Sequence, residues 1–134
     1  MNNEEYLAWD YMNPGISFNM TYGRITIFKT SLKMLGMPEY IHFMCSMDRK
    51  MFAIEPCELD DPGSHRLWGT RSRDSCDVKC KILVRFVFQG CGWKENSTYR
   101  ISGELNPEKH RLEFDLSKSF EIVEGRMKSS ELHG

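Results

Sequence analysis

Apolar and polar residues alternate along a short segment near the start of the chain. Ile25 and Ile27 alternate with Arg24 and Thr26, which is the period of two that is typical of a strand with one buried face. Gly23 precedes this segment and suits a tight turn, because glycine adopts a positive φ at no steric cost. The pattern predicts a hairpin of two strands, over residues 16–19 and 24–29.

A short helix and a second hairpin are predicted next. Thr30 or Ser31 offers an N-cap for the helix, and Gly36 is placed to end it in the left-handed conformation. Residues 40–46 and 51–55 are predicted to form two further strands, joined by a charged tip of four residues. The predicted order of elements is therefore β-β-α-β-β.

The second half of the chain repeats this order weakly. A shift of 56 residues places Lys29 on Arg85, and a shift of 60 places the hairpin tip at Asp48 on Glu108. The first shift predicts a strand over residues 81–88. A unit of this size buries too little apolar surface to fold alone, so the two copies are expected to share one core.

The chain is therefore predicted to be one intertwined domain. A polar stretch with glycine and proline residues separates the two copies, and this composition is typical of a loop. Two further elements are predicted near the ends of the chain, a helix over residues 3–12 and a strand over residues 120–123. The predicted boundaries are 16–58 for the first repeat, 59–77 for the linker loop, 78–116 for the degenerate second repeat and 117–134 for a C-terminal extension, within the single domain 1–134.

Composition and charge are those of an ordinary globular protein. The chain is 40% hydrophobic and 28% charged, and its formal net charge is −1. Nucleic-acid binding would therefore need a local basic patch. The sequence has no apolar run of the roughly 18 residues that a membrane helix needs, and its acidic start lacks the order of a signal peptide. We expect a cytoplasmic protein without a membrane partner.

The cysteines predict neither a disulfide framework nor a metal site. Their number is odd and their spacing irregular, whereas small secreted scaffolds carry an even, dense set. The C-x-x-C pair that is common in zinc sites is missing, although Cys76 and Cys80 have His65 nearby in sequence. We expect reduced and mostly buried thiols, with no metal and no cofactor. The five cysteines are Cys45, Cys57, Cys76, Cys80 and Cys91.

Basic residues without an acidic neighbour mark one segment. Residues 11–38 contain no Asp or Glu, but they contain Arg24, Lys29 and Lys33. Basic side chains on a turn and a short helix can neutralise phosphates. The alternative from the residues alone is that these side chains merely solvate one face of the protein, and both interpretations stay open.

A series of short motifs follows in a fixed order within residues 16–58. The motifs are Gly23-Arg24, an apolar-leaning stretch, the basic residues Lys29 and Lys33, Leu35-Gly36-Met37 and a closing Pro56. In this order and spacing the segment resembles the SpoVT/AbrB-like swapped-hairpin domain family. Two departures are visible: Phe28 stands where the family usually has proline, and Lys79-Cys80 stands where the second repeat would need Gly-Arg.

The resemblance implies a fold that is mainly β with short helices, a swapped-hairpin β-barrel built from two tandem β-β-α-β-β repeats. It also implies a DNA-binding transcription regulator or antitoxin-like protein that contacts duplex phosphates through Arg24, Lys29 and Lys33. Arg85 would be a secondary contact in the second repeat.

The alternative function is a protein–protein interaction module that keeps the fold without DNA binding. Nine methionines would suit such an adaptable surface. A homodimer or another protein as partner stays open. The sequence shows no catalytic motif, so an enzyme is not expected.

Overall fold

The computed structural model describes residues 13–67 and 75–122 of the chain. The predicted helix over residues 3–12 and the end of the predicted strand at Val123 lie outside the described residues. The fold is mainly β, with two helices and a nearly closed antiparallel barrel. The described elements are, in chain order, β1 (Gly15–Asn19), β2 (Arg24–Phe28), α1 (Lys29–Met34), β3 (Tyr40–Ser46), β4 (Met51–Pro56), β5 (His65–Arg66), β6 (Ser75–Lys79), α2 (Lys81–Cys91), β7 (Thr98–Asn106), β8 (Arg111–Asp115), a 3-10 turn (Leu116–Lys118) and β9 (Phe120–Ile122).

The first hairpin is confirmed, with small changes at its ends. β1 and β2 pair antiparallel, and the inward side chains of β2 are fully buried while the outward ones are half-buried. The Tyr22 N–H donates to Asn19 Oδ1 (2.8 Å), and the Gly23 N–H donates to a carbonyl three residues back (3.1 Å). Gly23 has φ +61°, so the predicted turn glycine is confirmed.

Helix α1 ends where the sequence predicts, but it begins differently. Gly36 has φ +84° and follows the last turn, so the predicted end is confirmed. The predicted cap at Thr30 or Ser31 is wrong, because α1 begins at Lys29 and its N-cap residue, Phe28, provides no capping side chain. The Ser31 hydroxyl is unavailable to the helix end because it is fully buried against β1.

The second hairpin is confirmed, and the hairpin β7–β8 has the same form. β3 and β4 are joined by a four-residue tip that ends at Lys50, with φ +55°. β7 and β8 are joined by a tip of the same length that ends at His110, with φ +51°. These residues are 60 positions apart, in agreement with the predicted shift. β4 also pairs with β8, and Ala53 lies opposite Glu113, again 60 positions away.

The predicted strand over residues 81–88 is wrong, because this segment belongs to α2. Val84 and Phe88 lie one helical turn apart on its buried face. The strand that precedes α2, as β2 precedes α1, is β6, and the two strands pair antiparallel. Arg85 therefore lies inside a helix and is not the equivalent of Lys29, which directly follows β2.

The predicted linker loop over residues 59–77 contains regular structure, so this prediction is wrong in part. β5 lies within it and pairs with β3, and β6 begins before it ends. Leu67 is buried, and its N–H donates to the Glu39 carbonyl (2.9 Å). The polar composition did not reveal β5 because this strand is only two residues long. Near the other end, β9 confirms a strand at Phe120 and pairs with β7.

A single sheet connects all the described strands. Their order is β5-β3-β4-β8-β7-β1-β2-β6, with β9 paired to β7. β7 changes partners along its length, because residues 98–102 pair with β1 and residues 103–106 pair with β8. Gly103 lies at this change of partner, and a Cβ there would come within 2.5 Å of the Phe114 ring. The missing side chain therefore allows β7 and β8 to approach closely.

Side chains from both halves of the chain fill one core. Phe18 of β1 meets Phe52 of β4 edge to face, with ring centroids 5.0 Å apart. Trp93, which follows α2, contacts Phe18 (5.6 Å) and stacks on Tyr99 of β7 (4.3 Å). The core thus joins elements that are far apart in sequence.

Candidate functional site

Two acid-free segments are brought together by the pairing of β2 with β6. Residues 13–38 and 78–94 contain no Asp or Glu. β2 lies in the first segment and β6 leads into the second, so antiparallel pairing places them side by side. On β1, β2, β6, α1 and α2, Asp77 is the only acidic residue. The basic residues on the same elements are Arg24, Lys29, Lys33, Lys79, Lys81 and Arg85.

Arg24 is held between an aromatic ring and a carboxylate. Its guanidinium carbon lies 4.8 Å from the centre of the Tyr22 ring, and its Nη1 lies 3.8 Å from Asp77 Oδ2. The Thr26 hydroxyl donates to the same carboxylate (2.7 Å). Because Asp77 balances part of its charge, Arg24 attracts a phosphate less than an unpaired arginine would. The Arg24 side chain remains 38% exposed, so an anion can still reach it.

Lys79 and Lys81 lie beside Arg24 at the same end of β2. Lys79 is the cross-strand partner of Arg24, so both side chains project from the same face of the sheet. The Cβ and Cγ atoms of Lys81 lie 3.0 Å from the position that a Cβ on Gly23 would take. The Cys80 N–H donates to the Gly23 carbonyl (2.9 Å) and fixes this approach. We call Arg24, Lys79 and Lys81 the turn cluster.

Sequence reasoning missed Lys79 and Lys81 as site residues. They lie in the second half of the chain, and only the pairing of β2 with β6 makes them neighbours of Arg24. A signal was present, because residues 78–94 are free of acid, as residues 11–38 are. If both acid-free stretches are assigned to one face of the protein, Lys79 and Lys81 become candidate site residues together with Arg24.

Lys29 and Lys33 lie beyond the other end of β2, on α1. They are one helical turn apart, so they share a side of the helix. Lys29 is half-buried and Lys33 is exposed, and among the described residues neither forms an ion pair. Five residue steps separate Lys29 from Arg24, about 16 Å at the rise of a strand. The predicted site residues therefore occupy two ends of one strand and do not form a single cluster.

Arg85 lies apart from Lys29, on the outer face of α2. Its helical neighbours Ile82 and Phe86 are 83% and 50% exposed, while the opposite face of the helix packs on the core. Large apolar side chains one turn apart on an exposed helix face are of the kind that a protein partner covers.

The carboxylates on β4 and β8 take part in a network of ion pairs. His42 Nε2 lies 2.7 Å from Glu55 Oε1, and Arg111 reaches both Glu55 (3.5 Å) and Glu113 (2.7 Å). Hydrogen bonds from Arg111 and Asn106 hold the pKa of Glu113 below its usual value. Because each of these carboxylates already has a cationic partner, the network fits a structural role in the sheet.

The methionines are distributed over several elements. Met34 on α1 and Met44 on β3 are exposed, whereas Met37 and Met47 pack against the core. Met44 and Met51 line an open cavity of about 320 Å³. Close spacing in sequence therefore does not produce one methionine surface, which weakens that argument for an interaction module.

The five cysteines are free thiols, but only Cys76 is buried. The other four are half-buried, so the expectation of mostly buried thiols is wrong. Side chains alternate between the two faces of a strand, so Cys76 points inward and its neighbour Asp77 points to solvent. Partial burial raises the pKa of Cys45, Cys80 and Cys91, which keeps these thiols protonated at neutral pH. Within residues 13–67 and 75–122, no group of three or more His, Cys, Asp or Glu is arranged to hold a metal ion.

Comparison with known proteins gave no match for this chain, whether with family models, curated proteins or solved structures. Among the described helices, none is long and apolar enough to cross a membrane. A function for the protein therefore has to be argued from the site itself.

Proposed function

We propose that this protein binds duplex DNA through phosphate contacts of its basic side chains, in the manner of a transcription regulator or an antitoxin-like protein. The observation that carries the proposal is the pairing of two acid-free segments through β2 and β6. This pairing gathers basic side chains on elements that carry one acidic residue, although the net charge of the chain is −1. A local excess of positive charge attracts a polyanion and steers it to one face.

The two ends of β2 make separate phosphate contacts in this proposal. Lys29 and Lys33 act at one end, and the turn cluster acts at the other, about 16 Å away. That separation corresponds to about five base pairs along a duplex. Arg24 contributes less than Lys79, because Asp77 balances part of its charge. Such contacts hold the duplex and fix its orientation, but they do not read its sequence.

The proposal includes the finer architecture, a swapped-hairpin barrel of two tandem repeats like that of the SpoVT/AbrB-like family. Strands in corresponding positions pair with each other, β2 with β6 and β4 with β8. Ala53 and its partner Glu113 differ by the same 60 positions as Lys50 and His110, the left-handed residues of the two hairpin tips. Both helices are followed by a glycine with positive φ. These relations support two copies of one unit.

A double variant tests the phosphate contacts on α1. Lys29→Ala/Lys33→Ala should lower the magnitude of the slope of log K against log[salt] by about 1.8, since each phosphate contact contributes about 0.9. Affinity should fall alike for duplexes of unrelated sequence, while folding stability changes little. Fluorescence anisotropy with labelled mixed-sequence duplexes, between about 50 and about 200 mM salt, measures the slope.

The matched control is Lys109→Ala/Lys118→Ala, which removes two exposed lysines from the β7–β8 tip and the 3-10 turn, neither of which pairs with β2 or β6. The control should leave the salt slope unchanged, and an equal loss in both double variants would indicate diffuse attraction without a site. Arg85→Ala should lower affinity less than Lys29→Ala, because Arg85 lies between the exposed apolar side chains of Ile82 and Phe86 on α2. If the unmodified protein binds no duplex at low salt, the proposal is wrong.

The second candidate function is a protein–protein interaction module. One observation favours it, namely the exposed pair Ile82 and Phe86 on α2. The two functions differ in their response to salt, because DNA binding weakens steeply as salt rises and an apolar interface does not.

A further inference from the structure

The β1–β2 turn presents an aromatic ring within the turn cluster. Tyr22 is 63% exposed, although it lies next to Gly23 and packs against Arg24. The Arg24 guanidinium covers one face of the ring, with its carbon 4.8 Å from the ring centre. A cation–π contact of this kind orients the ring, and most of the Tyr22 side chain remains exposed to a ligand. Tyr22 is therefore an oriented flat surface among positive charges.

Hydrogen bonds fix the backbone that carries this ring. The Tyr22 N–H donates to Asn19 Oδ1 (2.8 Å), and the Gly23 N–H donates to the Met20 carbonyl (3.1 Å). Asn19 is in turn anchored to β7, because its Nδ2 donates to Thr98 Oγ1 (2.9 Å). The turn is held from both sides, so little conformational freedom is lost when a ligand stacks on Tyr22.

We propose that Tyr22 stacks on an unpaired nucleobase while Lys79 and Lys81 contact the flanking phosphates. The inference rests on the proposed function and names the ligand more closely, as DNA that contains an unpaired base. An exposed aromatic ring beside a track of positive charge is the combination that binds unpaired nucleotides with little sequence preference. A fully paired duplex hides the faces of its bases, so it engages only the phosphate contacts.

The experiment compares two labelled DNA probes of equal length, a fully paired duplex and a duplex with one bulged base. In anisotropy titrations, the unmodified protein should bind the bulged probe about tenfold more tightly than the paired one. Tyr22→Ala should abolish this preference, because it lowers the affinity for the bulged probe far more than the affinity for the paired duplex, which loses only the support that the ring gives to Arg24. Tyr22→Phe keeps the ring and should keep the preference, which separates stacking from any contact of the hydroxyl.

The matched control is Phe120→Ala, which removes a ring that is 49% exposed on β9, outside the turn cluster. This variant should keep the preference for the bulged probe. Circular dichroism should show the same melting temperature for Tyr22→Ala as for the unmodified protein, because the Tyr22 ring is mostly exposed.

The following outcomes would contradict the stacking role of Tyr22. If Tyr22→Ala keeps the preference, or lowers the affinity for both probes equally, the stacking role is wrong while the proposed function stands. If the unmodified protein binds both probes equally, with a steep salt dependence, the same conclusion follows. If neither probe is bound at low salt, the proposed function and the stacking role are both wrong.

Discussion

At the scale of single residues, Ser31 replaces a missing strand neighbour. The pairing of β1 with β2 ends at Ile16 and Ile27, so Gly15 of β1 has no paired residue in β2. The Ser31 hydroxyl accepts a hydrogen bond from the Gly15 N–H (2.7 Å) and donates one to the Gly15 carbonyl (2.8 Å). Both backbone groups are therefore satisfied where the chain turns from β2 into α1.

Replacement of Ser31 by alanine should be costly for this reason. Ser31→Ala leaves the Gly15 N–H and carbonyl without their partner in a fully buried place, so the free energy of unfolding should fall by about 1–3 kcal/mol. The higher helix propensity of alanine offsets only a few tenths of this, about 0.5 kcal/mol at most. Urea denaturation followed by circular dichroism measures the change.

Ser64→Ala is the matched control for this prediction. The Ser64 hydroxyl donates to the Leu59 carbonyl (2.8 Å) at the surface, where water can replace it. Its loss should change the free energy of unfolding by no more than about 0.5 kcal/mol. Equal stability of the two variants would show that the Ser31 hydroxyl is not needed by β1.

At the scale of elements, the two hairpins and α2 show what the sequence can predict. Alternating polarity and turn residues specify the hairpins over a few positions, and both were predicted close to their observed bounds. Residues 81–88 were predicted as a strand from the shift of 56 residues, but they form α2, with the apolar Ile82 and Phe86 on its exposed face. An almost continuous run of β-branched and aromatic residues favours a strand. Val84, Val87 and Phe88 nevertheless follow the i, i+3, i+4 spacing of a buried helix face, a local signal that the shift of 56 residues did not take into account.

The close approach of β7 to β8 depends on the absence of a side chain at Gly103. A Cβ there would lie 2.5 Å from the Phe114 ring and 2.7 Å from the Glu113 carbonyl oxygen. Gly103→Ala should therefore force β7 and β8 apart and lower the free energy of unfolding by about 1–3 kcal/mol. The midpoint of urea denaturation should fall accordingly.

Gly15→Ala is the comparison for Gly103→Ala, since both residues are strand glycines without a positive φ. A Cβ at Gly15 would meet the Phe28 ring at 3.6 Å, an ordinary contact. Gly15→Ala should therefore keep or slightly raise the stability, because alanine restricts the unfolded chain. A loss as large as that of Gly103→Ala would show that close approach is not the cause.

At the scale of the whole molecule, the acidic residues of the described chain are concentrated in two sequence regions, away from the candidate site. Every acidic residue that the structure describes lies in residues 39–67 or 95–122, apart from Asp77. A local count of charges was enough to predict Arg24, Lys29 and Lys33 as candidate site residues. Lys79 and Lys81 join the site through strand pairing over a long sequence distance, which no local pattern encodes.

The shared core predicts that the two halves unfold together. Phe18 and Phe52 from the first half contact Trp93 or Phe114 from the second through one buried cluster. Amide hydrogen exchange should therefore give the same opening free energy for central amides of β4 and of β8. A first half that opens at clearly lower free energy than the second would mean that each half has its own core.

The pairing of β4 with β8 has a consequence for synthesis on the ribosome. A ribosome adds about 5–20 residues per second, so β4 waits several seconds after its synthesis before its partner strand leaves the exit tunnel. During that time β2 lacks β6, β1 lacks β7, and apolar side chains such as Phe52 have no complete core around them. Unpaired strand edges of this kind invite pairing with other nascent chains. The growing polypeptide is therefore most exposed to association on polysomes before β7 and β8 have emerged.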